Sequence, residues 1–213
     1  MRQRRLKYLD ERLENVSDIL DRDGKGNKGV WRQATGKEKL FLEIGCGKGQ
    51  FACTHAQDEP KSCFVAVEGQ LNAVVRAAEK VKAKEIDNVY LIASYIHDIR
   101  EYFEEGELDG IYLNFSDPWP KAKHEKRRLT YRENLRAYMQ VLKLEGFIEF
   151  KTDNDELFEF SVEEVKALEY NIQEFTRDLE SENFSSKFFK TEYEERFLAM
   201  GKKINYMRIG RIR

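Results

Sequence analysis

The fold of this chain is decided by residues 40–51, which read Leu40-Phe41-Leu42-Glu43-Ile44-Gly45-Cys46-Gly47-Lys48-Gly49-Gln50-Phe51. The first five residues form an apolar run that predicts a strand, and a helical pattern begins at residue 50. Three alternating glycines join the two, and glycine lets bare backbone approach a ligand closely. We therefore predict a strand–loop–helix unit with a ligand site at the loop.

The same alternation of short apolar runs and helical patterns continues outward from this unit. Strands are predicted at residues 40–44, 63–67, 89–92, 110–115 and 147–150. Helices are predicted near residues 50–57, 70–84, 130–141 and 155–168. Strands that alternate with helices indicate an α/β fold, with a mostly parallel sheet and helices on both faces.

The two ends of the chain depart from this pattern. Residues 196–200 and 204–208 flank Gly201-Lys202-Lys203 and predict a hairpin, which would add an antiparallel strand at the sheet edge. Residues 1–39 show little apolar periodicity and contain a turn-rich polar tract at 21–29. We therefore predict a flexible basic arm over residues 1–30 and a single domain over residues 31–213.

Composition sets limits on the class of protein. The 213 residues are 41% hydrophobic and 36% charged, which is typical of one globular domain, and the net charge of -2 gives no general reason to expect a polyanionic partner. No apolar run approaches the roughly 18 residues of a membrane helix, and no apolar segment follows the Arg-rich start. Three cysteines without a C-x-x-C spacing predict a reducing cytoplasm and no metal site.

The glycine loop favours one kind of ligand over others. A dinucleotide fingerprint would need glycine at Gln50, and a P-loop would need serine or threonine at Gly49, so phosphate-bearing nucleotides are disfavoured. Glu68 ends the next predicted strand, where a carboxylate can accept hydrogen bonds from both hydroxyls of a ribose. Together these features indicate a ligand that contains adenosine. The alternative is a tight structural turn beside a solvated Glu68.

A second loop carries acidic and aromatic residues, in the order Asn114-Phe115-Ser116-Asp117-Pro118-Trp119-Pro120. It follows the fourth predicted strand, so Asp117 should face the same crevice as the glycine loop. The two prolines fix Asp117 relative to Trp119, which suits catalysis or base stacking. The alternative is a stiff turn with Trp119 buried in the core.

A basic run follows directly, with its cations at Lys121, Lys123, Lys126, Arg127 and Arg128. Such a run can neutralise several phosphates, and beside Asp117 it favours a nucleic-acid substrate. The alternative is the solvated face of a helix, which is the usual role of a charge run.

At these residues the chain resembles the bacterial tRNA (guanine-N7-)-methyltransferase family. The resemblance is carried by residues 43–51, 114–121 and 124–130, and two further matches at 150–154 and 191–195 extend it from Trp31 to the C terminus. It implies a class I methyltransferase with a seven-stranded sheet and S-adenosylmethionine as the methyl donor. It also implies N7 of guanosine 46 in the tRNA variable loop as the acceptor. The sequence leaves open whether the protein is a monomer or a homodimer.

The resemblance also implies roles for individual residues. Glu43, Gly45, Gly47, Glu68 and Asp117 would lie on the cofactor side, and Asp117 would also be the catalytic residue. The residues that would bind tRNA are Lys121, Lys123, Lys126, Arg127, Arg128, Asp153, Thr191, Glu192, Tyr193 and Glu194.

One position departs from the family pattern. Where the family usually has Asn-x-Asp-Ala after the third strand, this chain has Ala93-Ser94-Tyr95-Ile96. Tyr95 would therefore replace an adenine-side carboxylate, and its ring and hydroxyl could stack on or hydrogen-bond the adenine instead.

Two other function classes stay open at this point. A methyltransferase for a small molecule would have the same cofactor loop but would leave the basic run without a partner. A non-catalytic RNA-binding protein on a methyltransferase-like scaffold would accommodate the Tyr95 departure.

Overall fold

Eight strands form one sheet in the computed structural model, which describes residues 6–211. The strands are β1 (Leu20–Asp21), β2 (Lys39–Ile44), β3 (Ser62–Val67), β4 (Val89–Ile92), β5 (Leu108–Asn114), β6 (Leu142–Thr152), β7 (Asn171–Thr176) and β8 (Asn205–Gly210). The helices are α1 (Leu9–Glu14), α2 (Trp31–Thr35), α3 (Gln50–Asp58), α4 (Leu71–Ala83), α5 (Arg132–Val141), α6 (Asp155–Ala167) and α7 (Glu192–Ala199). Short 3-10 helices occupy Ile99–Glu101, Ala122–Arg127, Leu179–Ser181 and Ser185–Phe188. None of the helices described is long and apolar enough to cross a membrane.

The strands are ordered β1-β4-β3-β2-β5-β6-β8-β7 across the sheet. All neighbours pair in parallel except β8, which runs antiparallel to both β6 and β7. The predicted fold class is therefore confirmed, although the sheet has eight strands where seven were predicted, and the reversed strand lies next to the edge and not at it. The chain order turns around between β2 and β5, and open α/β sheets bind ligands beyond the carboxyl ends of the strands at such a point.

The predicted C-terminal hairpin is wrong in its first arm. Residues 196–199 belong to α7 and Met200 caps that helix, so β8 pairs with β6 and β7 instead. The physical reason is a capping box: the Thr191 side chain accepts from the Glu194 backbone N–H, while the Glu194 side chain accepts from the Thr191 N–H. Thr-x-x-Glu is a helix start signal that outweighs the turn-like Gly201.

The N-terminal segment contains ordered elements ahead of residue 31. Leu9, Leu13 and Val16 are buried against the face that carries α4, and β1 pairs with β4 through Leu20 and Leu91. The basic residues at 2, 4 and 5 lie outside the described residues. The flexibility of the arm and the domain boundary at residue 30 stay predictions.

The two faces of β2 pack into different cores. Leu40, Leu42 and Ile44 join the core that includes Trp31 and residues of α5 and α6, whereas Phe41 joins the core under α3 and α4. Because side chains alternate along a strand, Glu43 lies on the same face as Phe41. The alternation therefore places this carboxyl inside the protein, on the α3 side of the sheet.

Trp31 anchors the segment that leads into β2, and we expect Trp31→Ala to destabilise the fold by about 3–5 kcal/mol. The side chain is 2% exposed. Its ring lies 6.1 Å from the Phe103 ring and 6.0 Å from the Tyr90 ring between centroids. Urea unfolding followed by circular dichroism measures the loss. Val30→Ala, at an exposed neighbour, should change stability by less than about 0.5 kcal/mol; equal effects of the two variants would contradict this role.

Candidate functional site

The glycine loop makes a tight turn between β2 and α3. Gly45, Gly47 and Gly49 all have positive φ, at 83°, 57° and 74°. A Cβ on Gly49 would lie 2.8 Å from the Cβ of Ala77, so this glycine also allows α3 and α4 to pack closely. The loop thus requires glycine both for its backbone conformation and for the approach of the two helices.

Glu68 lies at the end of β3 beside this loop. The backbone N–H of Gly47 donates to its Oε2 at 3.1 Å, and the N–H of Gln70 donates to its Oε1 at 2.8 Å. Burial raises the pKa of Glu68, while these backbone N–H groups oppose the rise. Each carboxylate oxygen has a second lone pair, so both can still accept from a ligand hydroxyl.

A cavity of about 790 Å³ opens at the carboxyl ends of β2, β3 and β5. Its walls include Gly45, Glu68, Tyr95 and Asp117, together with residues 96–100 and one side of α5. The cavity therefore brings together four of the six residues predicted for the cofactor side. Glu43 and Gly47 are not among its lining residues.

Tyr95 stands at the rim of this cavity with its side chain largely exposed. A Cβ on Gly69 would lie only 2.3 Å from the Tyr95 ring, so the ring packs directly on the Gly69 backbone. This arrangement offers a flat aromatic surface beside Glu68.

The loop that carries Asp117 is held in an unusual backbone conformation. Phe115 and Trp119 have φ of 51° and 41°, a left-handed region that costs a non-glycine residue about 1–2 kcal/mol. The Phe115 N–H donates to the Lys151 carbonyl at 2.9 Å, which anchors the start of the loop. Asp117 lies between the two strained residues, exposed and facing the cavity.

The basic run divides into two parts with different surroundings. Four cations are exposed: Lys121, Lys123, Lys126 and Arg127. Arg128 instead donates from Nε to the Pro118 carbonyl at 3.0 Å and from Nη2 to the Trp119 carbonyl at 3.2 Å. Its guanidinium therefore fixes the Asp117 loop, a role that the charge pattern of the sequence does not reveal.

Trp119 is half-buried at the cavity wall and does not enter the core. The Arg127 guanidinium lies 4.9 Å from its ring centroid, and the His124 ring meets it edge-on at 5.8 Å. An aromatic surface is thus present between the cavity and the exposed cations.

Among the residues predicted near the C terminus, Tyr193 contacts the same loop from another side. Tyr193 is partly exposed, and its ring lies 5.1 Å from the ring of Phe115, which lines the cavity. Thr191 caps α7, and Asp153 forms an ion pair with Lys202 at 2.9 Å. These positions extend the site from the cavity toward the surface.

Two neighbours of Tyr193 are engaged within the protein. Glu194 is fully buried and its carboxylate lies 3.3 Å from Lys151 Nζ, so direct contact between Glu194 and tRNA does not fit this position. Glu192 pairs with Lys80 at the surface of α4. Glu194 can serve an RNA site only by fixing Thr191 and Tyr193.

Glu43 forms a buried pair with Asn114, the last residue of β5. Asn114 Nδ2 donates to Glu43 Oε1 at 3.0 Å, whereas Glu43 Oε2 and Asn114 Oδ1 have no partner. Burial raises the pKa of Glu43 to about 7. A proton on Glu43 would supply the donor that Asn114 Oδ1 lacks. Glu43 therefore acts beneath the site, at the base of the Asp117 loop.

Comparisons with known proteins agree with this architecture. The family described as "Putative methyltransferase" matches residues 37–207. The tRNA (guanine-N(7)-)-methyltransferase of Limosilactobacillus reuteri strain DSM 20016 is 40% identical over 205 residues, which cover 96% of each chain. The chain belongs to the tRNA (guanine-N(7)-)-methyltransferase family. The resemblance predicted from the sequence is thereby confirmed.

Solved structures of other methyltransferases share the fold of this chain at low sequence identity. An antibiotic-related methyltransferase superposes with a TM-score of 0.62 at 19% identity, covering 87% of this chain and 96% of that one. Phosphoethanolamine N-methyltransferase 2 of Haemonchus contortus, solved in complex with S-adenosyl-L-methionine, superposes with a TM-score of 0.52 at 15% identity, covering 87% and 54%. Both matches concern the fold alone.

The raised pKa of Glu43 predicts a pH effect on stability. With a folded pKa of about 7 against 4.5 for the ordinary side chain, the folded carboxyl keeps a proton that the unfolded one has lost between these values. The free energy of unfolding should therefore fall as pH rises through this window, by about 3 kcal/mol from this group. Glu43→Gln should remove this contribution and so make the fall smaller by that amount.

Urea unfolding at several pH values between 4.5 and 8 measures this, with the exposed α6 residue changed in Glu163→Gln as the matched control. The same pH dependence in Glu43→Gln and in the unmodified protein would contradict a proton held by Glu43.

Proposed function

We propose that this protein transfers the methyl group of S-adenosylmethionine to N7 of guanosine 46 in the variable loop of tRNA. The observation that carries the proposal is the position of Asp117, between a cavity suited to an adenosine ligand and a surface with four exposed cations. Family membership supports the reaction class and the tRNA substrate. The cytoplasmic location and the monomeric or homodimeric state stay predictions.

The residues of the cavity fit the proposed cofactor. Glu68 offers two carboxylate oxygens to ribose hydroxyls, and Tyr95 offers a flat surface to adenine. Ser116 also lines the cavity, and its buried Oγ has no hydrogen-bond partner, as expected of a group that meets a polar ligand. S-adenosylmethionine bound here would supply a methyl group on a positively charged sulfur.

The exposed cations suit the RNA backbone. Lys121, Lys123, Lys126 and Arg127 lie on one segment beside Asp117, where they can neutralise phosphates. Tyr193 borders the loop from the other side through Phe115, and Asp153, Thr191 and Tyr193 offer groups that suit contacts with sugar and base. Because N7 is engaged in the tertiary structure of folded tRNA, the base has to leave its stack, and Trp119 or Tyr193 offers an aromatic surface to receive it.

For this reaction the protein has to orient the two reactants and stabilise the charge that develops. Guanine N7 carries an in-plane lone pair and no proton, so no residue has to act as a strong base. Positive charge develops on the purine as the methyl group arrives, and the Asp117 carboxylate stabilises that charge. A rigid loop suits this role, because it keeps Asp117 in a fixed position at the cavity.

Methyl transfer itself is the first test. Purified protein is incubated with an unmodified tRNA transcript and methyl-labelled S-adenosylmethionine. The tRNA is then digested to nucleosides, which are separated by chromatography and identified by mass spectrometry. Label should appear in 7-methylguanosine and disappear when the transcript carries adenosine at position 46. Label on another base or position would refute the proposed acceptor, transfer to a free metabolite would indicate a small-molecule enzyme, and tRNA binding without transfer would indicate a scaffold.

Asp117→Asn keeps the shape of the side chain but removes its charge. We expect kcat to fall by about 10²-fold or more, as when one preorganised electrostatic contact to a transition state is lost. The Kd for tRNA should change little. Single-turnover kinetics measure the step, and Asp58→Asn, exposed at the end of α3, is the matched control. Near-normal turnover would contradict an electrostatic role of Asp117 in the transition state. Loss of tRNA binding without a change in the methyl-transfer step would assign Asp117 to tRNA recognition.

Arg127 and Arg128 should behave differently when each is changed to alanine. Arg127→Ala should weaken tRNA binding, because one phosphate contact is lost. A plot of the logarithm of the tRNA association constant against the logarithm of salt concentration should become less steep by about 1. Arg128→Ala should lower kcat, because the carbonyls of Pro118 and Trp119 lose their donors and the Asp117 loop is released. Binding titrations over a salt series separate the two, with Lys166→Ala on α6 as the control. Identical effects of the two arginine variants would contradict this division.

A further inference from the structure

We propose that Lys151 is a positioning residue that joins the tRNA-binding segment around α7 to the loop that carries Asp117. This inference rests on the proposed function, because it explains how the two halves of that site are held in register. Lys151 lies on β6, directly beside the end of β5. It contacts neither the cavity nor the surface.

The side chain of Lys151 fixes the segment that precedes and begins α7. Its Nζ donates to the Ser186 carbonyl at 2.7 Å and to the Phe189 carbonyl at 2.8 Å. The third direction is taken by the Glu194 carboxylate, with both oxygens at 3.3 Å. A lysine ammonium has three protons, so every one of them is used to hold residues 186–194.

The main chain of the same residue fixes the other loop. The Lys151 carbonyl accepts from the Phe115 N–H at 2.9 Å, at the point where the backbone enters its left-handed conformation. The Phe115 ring in turn packs against Tyr193 at 5.1 Å. Contacts thus link Lys151 to the 186–194 segment, link that segment to Phe115 through Tyr193, and link Phe115 back to Lys151.

A charged pair is a costly way to fill this space. The side chains of Lys151 and Glu194 are only 1% and 0% exposed, and two charges without water are expensive even when paired. An apolar pair of similar volume could fill the same core, but it would leave the Ser186 and Phe189 carbonyls without a donor. The ammonium is therefore explained by the conformation that it imposes on residues 186–194.

Other contacts of α7 and the segment before it do not replace the Lys151 interactions. Phe197 and Leu198 pack against Leu179, Ile204 and Tyr206, but they lie beyond residues 186–194. The Lys80–Glu192 ion pair lies near the surface, where salt screens it and its contribution is small. The His55 and Phe189 rings stack at 3.9 Å, but this contact holds only one residue of the segment. Lys151 is the group that reaches two backbone carbonyls and the helix at once.

The test removes both charges together, so that neither is left buried alone. The double variant Lys151→Met/Glu194→Gln, whose glutamine can still accept from the Thr191 N–H in the capping box, is compared with Lys166→Met, which makes the same lysine change at an exposed position on α6. We expect amide hydrogen exchange at residues 186–193 to become at least about tenfold faster in the double variant. The Kd for S-adenosylmethionine should stay within about twofold, because Glu68 and Tyr95 are untouched.

Kinetics distinguish positioning from a general loss of structure. The KM and Kd for tRNA should rise by about tenfold, which corresponds to about 1.4 kcal/mol, because residues 186–194 would have to become ordered when tRNA binds. Partial unfolding would instead lower kcat and leave KM unchanged. Glu194→Gln, which keeps a side chain able to accept from Lys151, should shift the same quantities in the same direction by a smaller factor. It provides the test if the double variant fails to fold.

Unchanged exchange at residues 186–193 together with an unchanged KM would overturn the proposal, and so would equal losses of cofactor and tRNA affinity. If the unmodified protein does not methylate tRNA, the proposed function fails. In that case the exchange rates and the tRNA Kd still decide whether Lys151 positions the segment.

Discussion

The parallel pairing of β2 with both β3 and β5 is the constraint on which the rest of the structure depends. Because the three strands point the same way, Glu68 and the loops after β2 and β5 all emerge at one edge of the sheet. The glycine loop, Glu68 and the Asp117 loop are distant in sequence but line one cavity for this reason. The basic segment reaches the same place because it continues directly from the Asp117 loop.

Beneath that edge, buried hydrogen bonds fix the loop that follows β5. Glu43 binds Asn114 at the end of β5, and Lys151 binds the Phe115 N–H through its carbonyl. These contacts offset the cost of the left-handed backbone at Phe115, and Arg128 does the same at Trp119. The exposed Asp117 is thus rigid because its neighbours on both sides are held from within the protein.

Sequence reasoning was strongest where local pattern and position agree. The alternation of strands and helices predicted the sheet, and glycines followed by an acidic strand end predicted a cavity wall that contains Gly45 and Glu68. Local pattern misleads at the C terminus, where the turn-like Gly201 predicts a hairpin although the Thr191–Glu194 capping box begins a helix, so the strand predicted at residues 196–200 is wrong. The two-residue strand β1 and the edge strand β7 also escaped sequence reasoning, because a two-residue strand leaves no periodicity to read and β7 is largely exposed.

By itself the sequence determined the fold class, the family and the two loops that meet at the cavity, because these depend on local periodicity, on glycine conformation and on short motifs. Only the tertiary structure decided which charged side chains face solvent. Arg127 and Arg128 are adjacent in one basic run, yet Arg128 alone turns inward to two carbonyls. Glu43 and Glu194 stand in motifs that the sequence assigns to the site, but both lie buried, since burial and direction are set by the packing of α3, α7 and the sheet against one another.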